Sequence, residues 1–400
     1  MKIALIGHKG IPAKSGGVDR HVESLAFYLS KKNSNLEIIS YNRKNYLQVR
    51  LSKDSKKYTQ ATLNNNATNN SDSFEDSQEL HNIKIISLPF INSKNLAAIS
   101  HGFLATLDAI IKKVDIIHYH GIGPCLLAWI PKLLRPKTKI IATLHSFDYG
   151  NDKWSAFAKF MLKMGEKFMA KYADEVIVLT SLMRDYLYQR HGRDSVIIPN
   201  GAKIQEAGNS EILKTFNLEE KKYLVSVSRL IRLKGIQYLI PAFKKLKKTN
   251  AISSDLKLVI VGDGEYEKEL KKIANNDKDI VFTGNQSGDD LATLYSRALL
   301  FVQASEMEGL SISMLEAMAY GLPILASDIS ANREAGADTV KYFQAKNEED
   351  LLINLKKVLN NFESLENLGK LAKERLEKVF NWERISGEIL DLYKKILEKV

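Results

Sequence analysis

Residues 299–327 read LLFVQASEMEGLSISMLEAMAYGLPILAS. The stretch opens on an apolar run, Leu299 to Gln303, and crosses a polar loop carrying one glycine. It turns helical from Ser311 to Tyr320, where apolar residues fall at helical spacing. Gly321-Leu322-Pro323 breaks the helix, and a second apolar run, Pro323 to Ala326, follows. Two short apolar runs joined by a helix make a crossover unit, and crossover units build parallel sheets. Ser311 is placed to cap the helix, because its hydroxyl accepts from a free amide two or three residues on. Glu308 is then expected in the loop and Glu316 one turn into the helix. The carboxylates stand eight residues apart, about 12 Å if helical, with the amides of the helix start between them. Free amides there suit a phosphate, so the segment can hold both ends of a long, phosphate-centred ligand such as a nucleotide sugar. An ordinary capped surface helix has the same pattern.

The same alternation extends in both directions. Upstream it predicts strand Tyr223 to Val227, helix Gly235 to Lys248, strand Lys257 to Val261, helix Glu265 to Ala274, strand Ile280 to Thr283 and helix Asp289 to Arg297. The first half repeats the rhythm. Strands are expected at Ile3 to Ile6, Leu36 to Ser40, Ile83 to Leu88, Asp115 to Tyr119, Lys139 to Thr143 and Glu175 to Leu179, with a helix from Val18 to Lys31. The last fifty residues look mostly helical. Residues 51–82 break the pattern: they are rich in Asn, Ser, Asp and Lys and offer too little apolar surface to order well. Ile198-Pro199-Asn200-Gly201 carries turn chemistry and is the candidate hinge. The expected architecture is α/β, with two Rossmann-like domains in tandem, 1–199 and 200–380, their parallel sheets facing across a cleft. Residues 381–400 are expected to form a C-terminal helix packing back toward the first domain.

Four hundred residues suit two such domains. With 44% apolar and 26% charged residues the composition is that of an ordinary globular chain. The net charge of +11 favours anionic partners: nucleotide phosphates, acidic lipid or nucleic acid. The lysines are spread along helical segments, as at Lys244, Lys245, Lys247 and Lys248, and read as solvated faces. No RNA-binding signature or zinc spacing appears, so nucleic acid is not expected. One cysteine, Cys125, allows no disulfide within the chain, which fits a reducing cytoplasm, and its apolar setting reads as core. The opening apolar run, Ile3 to Ile6, is too short for a signal peptide, and no stretch approaches a spanning helix of ~18 residues.

Charged and imidazole side chains gather where strands are expected to end. The loop Gly7 to Gly17 holds Gly10, Gly16 and Gly17, whose backbone can approach a phosphate at a helix start, although the spacing is neither a dinucleotide fingerprint nor a P-loop. Arg229 and Lys234 follow strand Tyr223 to Val227. A planar guanidinium and a mobile ammonium together can neutralise a diphosphate without metal. His145 follows Thr143-Leu144, and His118 and His120 flank Tyr119. A zinc pair is conceivable among these histidines, but no Glu or third ligand accompanies them at familiar spacing, and no metal site is expected. Asp277-Lys278-Asp279 precedes a strand instead of following one and reads as a surface turn. Between Lys153 and Lys171 the lysines 159, 163, 167 and 171 recur every four residues beside Trp154, Phe157, Phe160, Met161, Met164 and Phe168. The favoured reading is a helix packed on the core with a solvated lysine face; the alternative is a helix lying on an anionic bilayer.

In fixed order these motifs resemble the GT-B glycosyltransferases of family 4, and among them a bacterial branch that includes polysaccharide rhamnosyltransferases. Residues 6–19, Ile-Gly-His-Lys-Gly-Ile-Pro-Ala-Lys-Ser-Gly-Gly-Val-Asp, are similar to that branch's I-G-x-x-G-I-P-A-x-x-G-G-x-E. Residues 115–124, 143–148, Lys153-Trp154 and 198–201 look like its later landmarks, and Glu308 to Glu316 resembles the family's E-x7-E. The resemblance covers nearly the whole chain outside 51–82. Asp19 stands where the branch usually has Glu, and Ser146 where it usually has Gly.

The resemblance implies a retaining, metal-independent transferase without a cofactor. It would move a hexose or deoxyhexose from a nucleotide-sugar donor to a glycan or polyprenyl-linked acceptor in bacterial surface polysaccharide synthesis. It implies that Gly16 and Gly17 approach the donor diphosphate, and that Arg229 and Lys234 hold its charge. Glu308 would bind the donor sugar, aided by backbone at Gly309, Leu310 and Ser311. Glu316 would accept from the ribose, and His145 would touch the sugar near the reacting carbon. The expected location is cytoplasmic, with an anionic membrane surface as a possible partner. A nucleotide-sugar epimerase and a non-catalytic nucleotide-sugar-binding protein are the rival readings.

Overall fold

The computed structural model describes residues 1–13, 16–33, 35–44, 82–93, 96–146, 155–203 and 206–398. The expectation for 51–82 therefore lies outside the described residues, save Asn82. The chain divides into two compact units, Met1–Ile198 with Trp382–Val400, and Pro199–Asn381.

The first unit is a seven-stranded sheet: β1 (Lys2–Ile6), β2 (Glu37–Arg43), β3 (Ile83–Leu88), β4 (Ile116–His120), β5 (Lys139–Leu144), β6 (Glu175–Val178) and β7 (Val196–Ile197), in the order β3-β2-β1-β4-β5-β6-β7. Every pairing is parallel. Its helices are α1 (Gly17–Lys32), α2 (Ala97–Ile111), α3 (Trp129–Leu134), α4 (Ala156–Tyr172) and α5 (Ser181–His191). The central strands are mostly apolar, with His118 and His120 on β4, and are buried apart from the lysines that open β1 and β5, as a parallel sheet covered on both faces requires.

The second unit is a six-stranded parallel sheet: β8 (Tyr223–Val227), β9 (Lys257–Val261), β10 (Ile280–Gly284), β11 (Leu300–Gln303), β12 (Ile324–Ser327) and β13 (Lys341–Phe343), in the order β10-β9-β8-β11-β12-β13. Before, between and after these strands come α6 (Ile212–Thr215), α7 (Ile236–Lys248), α8 (Glu267–Ala274), α9 (Gly288–Ser296), α10 (Ile312–Ala319), α11 (Ser330–Gly336), α12 (Glu348–Leu359) and α13 (Phe362–Val379). The last helix, α14 (Trp382–Glu398), belongs to the first unit. Trp382, Ile385, Ile389, Leu392 and Ile396 form one apolar stripe on it, buried with Ile3, Leu5, Val22 and Leu25 in a single core.

The crossover pattern of the sequence matches these strands to within a few residues, but β7 and β13 were not foreseen. They are two and three residues long, too short for a periodicity to register. Two lysines expected on a solvated face are tied down. Lys244 Nζ donates to the carbonyls of Ile273 and Ala274 at the end of α8, where a cation is favoured. Lys247 pairs with Asp279 at 2.8 Å, so one carboxylate of the Asp277 turn is a half-buried anchor for α7. Cys125 is buried, and burial pushes its thiol well above the usual range. On α4, Phe157 and Phe160 are 68% and 58% exposed while Gly165, Glu166 and Met169 are buried. The helix thus packs on the core with Lys163, Lys167 and Lys171 exposed, as the favoured reading has it, while those two aromatics stand outside the core; Lys153 and Trp154 lie outside the described residues.

Candidate active site

Both sheets reverse their winding beside their first strand, β1 against β4 and β8 against β11. Ligands of open parallel sheets bind outside the carboxyl ends of the strands at such a point. In the second unit the two loops there are 228–235, after β8, and 304–311, after β11. They carry Arg229 and Lys234 on one side and Glu308 on the other.

Backbone contacts fix the two loops to each other. Glu306 N donates to Leu233 O at 2.8 Å. Gly235 has φ +69°, and a β-carbon on it would meet the Ala304 carbonyl oxygen at 1.8 Å, so only glycine lets the first loop close over the end of β11. Across the junction Lys234 Nζ lies 2.5 Å from Glu308 Oε1, which also accepts from Ser305 Oγ at 2.7 Å. The two side chains are 17% and 11% exposed, so the pair is shielded yet open on one side. Arg229 is exposed and makes no ion pair among the described residues.

Behind Glu308 runs a chain of buried polar groups. Ser327 Oγ donates to Ser305 O, and Asn332 Nδ2 donates to Ser327 O and Oγ at 3.0 and 3.1 Å. Gln303 Nε2 donates to Asn332 Oδ1 at 3.0 Å, and Ser311 Oγ donates to Gln303 Oε1 at 2.8 Å. Ser311 then accepts from Met314 N at 3.3 Å as the N-cap of α10. Each of these side chains is buried. A satisfied buried network is rigid, because breaking any link strands a polar group in low dielectric. The loop bearing Glu308 and the helix bearing Glu316 are thus one rigid piece. Asn200 Nδ2, from the turn after Pro199, donates to Leu310 O at 3.2 Å and holds the middle of that loop. One turn into α10, Glu316 Oε2 lies 3.0 Å from the Tyr295 hydroxyl, which is also 3.2 Å from Ser313 O. Tyr295 stacks on Tyr320; burial first, then the Glu316 charge, pushes the Tyr320 phenol up.

The first unit places imidazoles at the equivalent strand ends. Side chains alternate along β4, so His118 and His120 share a face while Tyr119 points to the other and bonds Thr106 at 2.9 Å. His118 uses both nitrogens: Nδ1 meets the Tyr393 hydroxyl of α14 at 2.6 Å, and Nε2 meets Thr143 Oγ1 at 2.7 Å. His120 Nδ1 lies 3.2 Å from His145 Nε2. His21, on the second turn of α1, stands edge-on to His145 with ring centroids 4.6 Å apart. Burial lowers the basicity of His118 to about 3 and that of His120 and His145 to well below the usual range, with neighbouring histidines adding to the effect. His8, at the end of β1, bonds Ser40 and is lowered to about 3, mainly by burial and then by His101 and Arg43. His8, His118, His120 and His145 are therefore held in the neutral form near pH 7.

Gly16 has φ +93°, a backbone few residues but glycine adopt, and it hands the chain into α1 at Gly17. Asp19 is buried and accepts from Lys9 N at 2.9 Å; burial pushes its carboxyl up. Lys14, Ser15, Phe147 and Asp148 lie outside the described residues.

Of the residues singled out from sequence, the second unit brings Lys234, Glu308 and Ser311 into one connected arrangement, with Gly309 and Leu310 between them and Glu316 on the same rigid piece. Arg229, on the same loop as Lys234, is exposed and pairs with no carboxylate among the described residues. Sequence reading missed Gln303, Ser305, Asn332, Ser327, Tyr295 and His21. All but Ser305 reach their partners from other elements, so no spacing betrays them; Ser305, three residues before Glu308, was legible as a local side-chain pair.

Two family models tile the chain. One described as Glycosyltransferase Family 4 matches residues 15–206, and one described as Glycosyl transferases group 1 matches residues 209–375. An alpha-monoglucosyldiacylglycerol synthase of Streptococcus pneumoniae is 31% identical over 270 residues, 61% of this chain and 59% of that one. Sucrose-phosphate synthase from Thermosynechococcus elongatus superposes with a TM-score of 0.78 over 100% of both chains at 21% identity. An Anabaena protein solved in complex with UDP-glucose superposes with a TM-score of 0.73 over 99% of this chain and 100% of that one, at 17% identity. The two structural likenesses concern the fold.

Proposed function

The chain belongs to the glycosyltransferases of group 1 and family 4 and has their two-domain GT-B fold, and on that premise we propose a retaining, metal-independent transferase that uses a nucleotide-sugar donor. The observation that carries the reading is the Lys234–Glu308 pair, which joins the two loops at the switch point of the second sheet beside a capped helix start. The ammonium is placed before a ligand arrives, so a diphosphate meets it without reorganisation. Arg229, exposed on the same loop, supplies the second cation. Glu308 accepts from the donor sugar's hydroxyls, with backbone at Gly309, Leu310 and Ser311 beside it, and Glu316 accepts from the ribose. For Gly16, Gly17 and His145 in the first unit the proposal keeps the roles that the resemblance implies: backbone room for the diphosphate, and a neutral imidazole beside the sugar.

In the reaction so proposed, the bond between the anomeric carbon and the diphosphate oxygen breaks with its electron pair going to oxygen. The acceptor hydroxyl bonds the same face of the carbon, and its proton passes to the departing phosphate. Charge grows on the diphosphate as the bond opens, so fixed cations lower the barrier; one such contact is worth about 3–4 kcal/mol. Turnover of UDP-, GDP- and dTDP-sugars in EDTA tests the scheme. Arg229→Ala and Lys234→Ala are expected to slow it steeply, and unchanged rates in both variants would end it. Glu316→Ala is expected mainly to weaken nucleotide binding.

We further propose that the acceptor is a glycan or a lipid-linked glycan and that the chain works at an anionic membrane surface on the cytoplasmic side. Exposed Leu133 and Leu134 of α3 and Phe157 and Phe160 of α4 lie among lysines, a composition that suits an acidic bilayer. The Streptococcus relative, by its name, makes a glucosylated diacylglycerol. No helix among the described residues is long and apolar enough to cross a membrane. Co-sedimentation with anionic but not neutral liposomes is expected, and no binding to either would discard this part.

A further inference from the structure

We propose that His21, His120 and His145 of the first unit form a binding site for one divalent transition-metal ion of the zinc type, and that occupancy inhibits the enzyme. One nitrogen from each ring lies within 4.8 Å of the other two, and the three side chains are 2%, 1% and 8% exposed. Tetrahedral zinc with imidazole ligands sets its donor nitrogens about 3.3 Å apart. His120 Nδ1 and His145 Nε2 already stand at 3.2 Å, so only His21, on α1, has to swing closer. The fourth ring of the cluster is excluded by its own bonds, since His118 spends both nitrogens on Tyr393 and Thr143.

The donor set also selects the ion. Three imidazoles and, among the described residues, no grouped carboxylate disfavour magnesium and calcium, which take oxygen ligands, and favour zinc, cobalt or nickel. The fourth position is left to water, whose proton loss on zinc near neutral pH offsets part of the buried charge. The ion would take the nitrogen of His145, the ring that the proposed mechanism sets beside the donor sugar. Turnover is therefore expected to need no metal and to be slowed by zinc.

The test uses the untagged full chain stripped with EDTA. Titrated Co2+ is expected to give tetrahedral visible absorption at one ion per chain, and Zn2+ to displace it and raise the melting temperature. His21→Gln and His145→Gln are expected to weaken Zn2+ binding by more than the roughly 10–100-fold that loss of an outer partner costs. Zinc is expected to slow transfer by the wild type but not by His21→Gln. X-ray absorption on the zinc-loaded wild type, which needs no variant, is expected to count three imidazoles. Absence of Co2+ binding, affinity undiminished in both variants, or fewer than three imidazoles would overturn the site. Binding is read without turnover, so loss of the transferase proposal would leave this result standing.

Discussion

The two units wind their sheets in the same order about the switch point and place opposite chemistry on it. The second unit carries charge, an ammonium against a carboxylate backed by a chain of hydroxyls and amides. The first carries buried neutral imidazoles. All eight histidines precede residue 192, and none occurs in 199–381. One scaffold thus supports either chemistry, because the strands only bring loops together and the loops supply the groups. Under the proposed function, charged groups suit a leaving diphosphate and neutral rings suit a carbon that becomes electron-poor.

The largest expected effect separates the units by pH. His8 and His118 titrate at about 3 and His101 at about 4 in the folded protein, against 6.5 for the free side chain. Between those values the unfolded chain binds more protons, so stability is full above pH 6.5 and falls as pH drops toward 4 and then 3. The second unit has no histidine to contribute. All three tryptophans, 129, 154 and 382, are in the first unit or its sequence range. Tryptophan fluorescence is expected to report loss of structure near pH 4–5, while hydrogen exchange still protects β8 to β13. Loss of the second unit first would break the comparison.

Next in size is Lys234→Ala. Removing a fixed donor from developing charge is expected to cost roughly 10²–10³ in kcat. His118→Gln, whose ring is tied to Tyr393 and Thr143, is expected to alter stability more than rate. Equal rate losses in the two variants would mean that the charge is not concentrated in the second unit. Smaller again is Asn332→Ala. It strands Gln303 and Ser327 in the core, and about 1–3 kcal/mol of unfolding free energy is expected to be lost in urea titrations. The smallest is Tyr295→Phe, which removes one hydroxyl from Glu316. About 0.5–1.5 kcal/mol, read as a few-fold rise in donor KM with kcat nearly unchanged, is expected. A fall in kcat instead would place Glu316 on the reacting centre.

How much was legible varies along the chain for physical reasons. Lys234, Glu308 and Ser311 were found because strand ends and a helix cap leave local marks: an apolar run that stops, a serine before a helical period. Their mutual contact was not readable, since 74 residues separate Lys234 from Glu308. The lysines of α7 were misjudged for the same reason. Periodicity places a side chain on a face, but whether a carbonyl or a carboxylate waits there depends on a distant element, as with Asp279 for Lys247. The exposure of Phe157 and Phe160 on α4 was not readable, because apolar residues at helical spacing do not say whether anything covers them.

By itself, the amino-acid order determined the alternation of strand and helix, the doubling of the fold, the charge loops of the second unit and the family. Each of these rests on interactions within a few residues or on a fixed order of local motifs. Tertiary structure alone decided the convergences. His21, His118, His120 and His145 come from α1, β4 and the end of β5, and the polar chain behind Glu308 draws on β11, β12 and α10 and on Asn332 of α11. The reason is geometric. A parallel sheet sets strands distant in sequence about 4.8 Å apart, so its loops meet at one edge at spacings that no local pattern records.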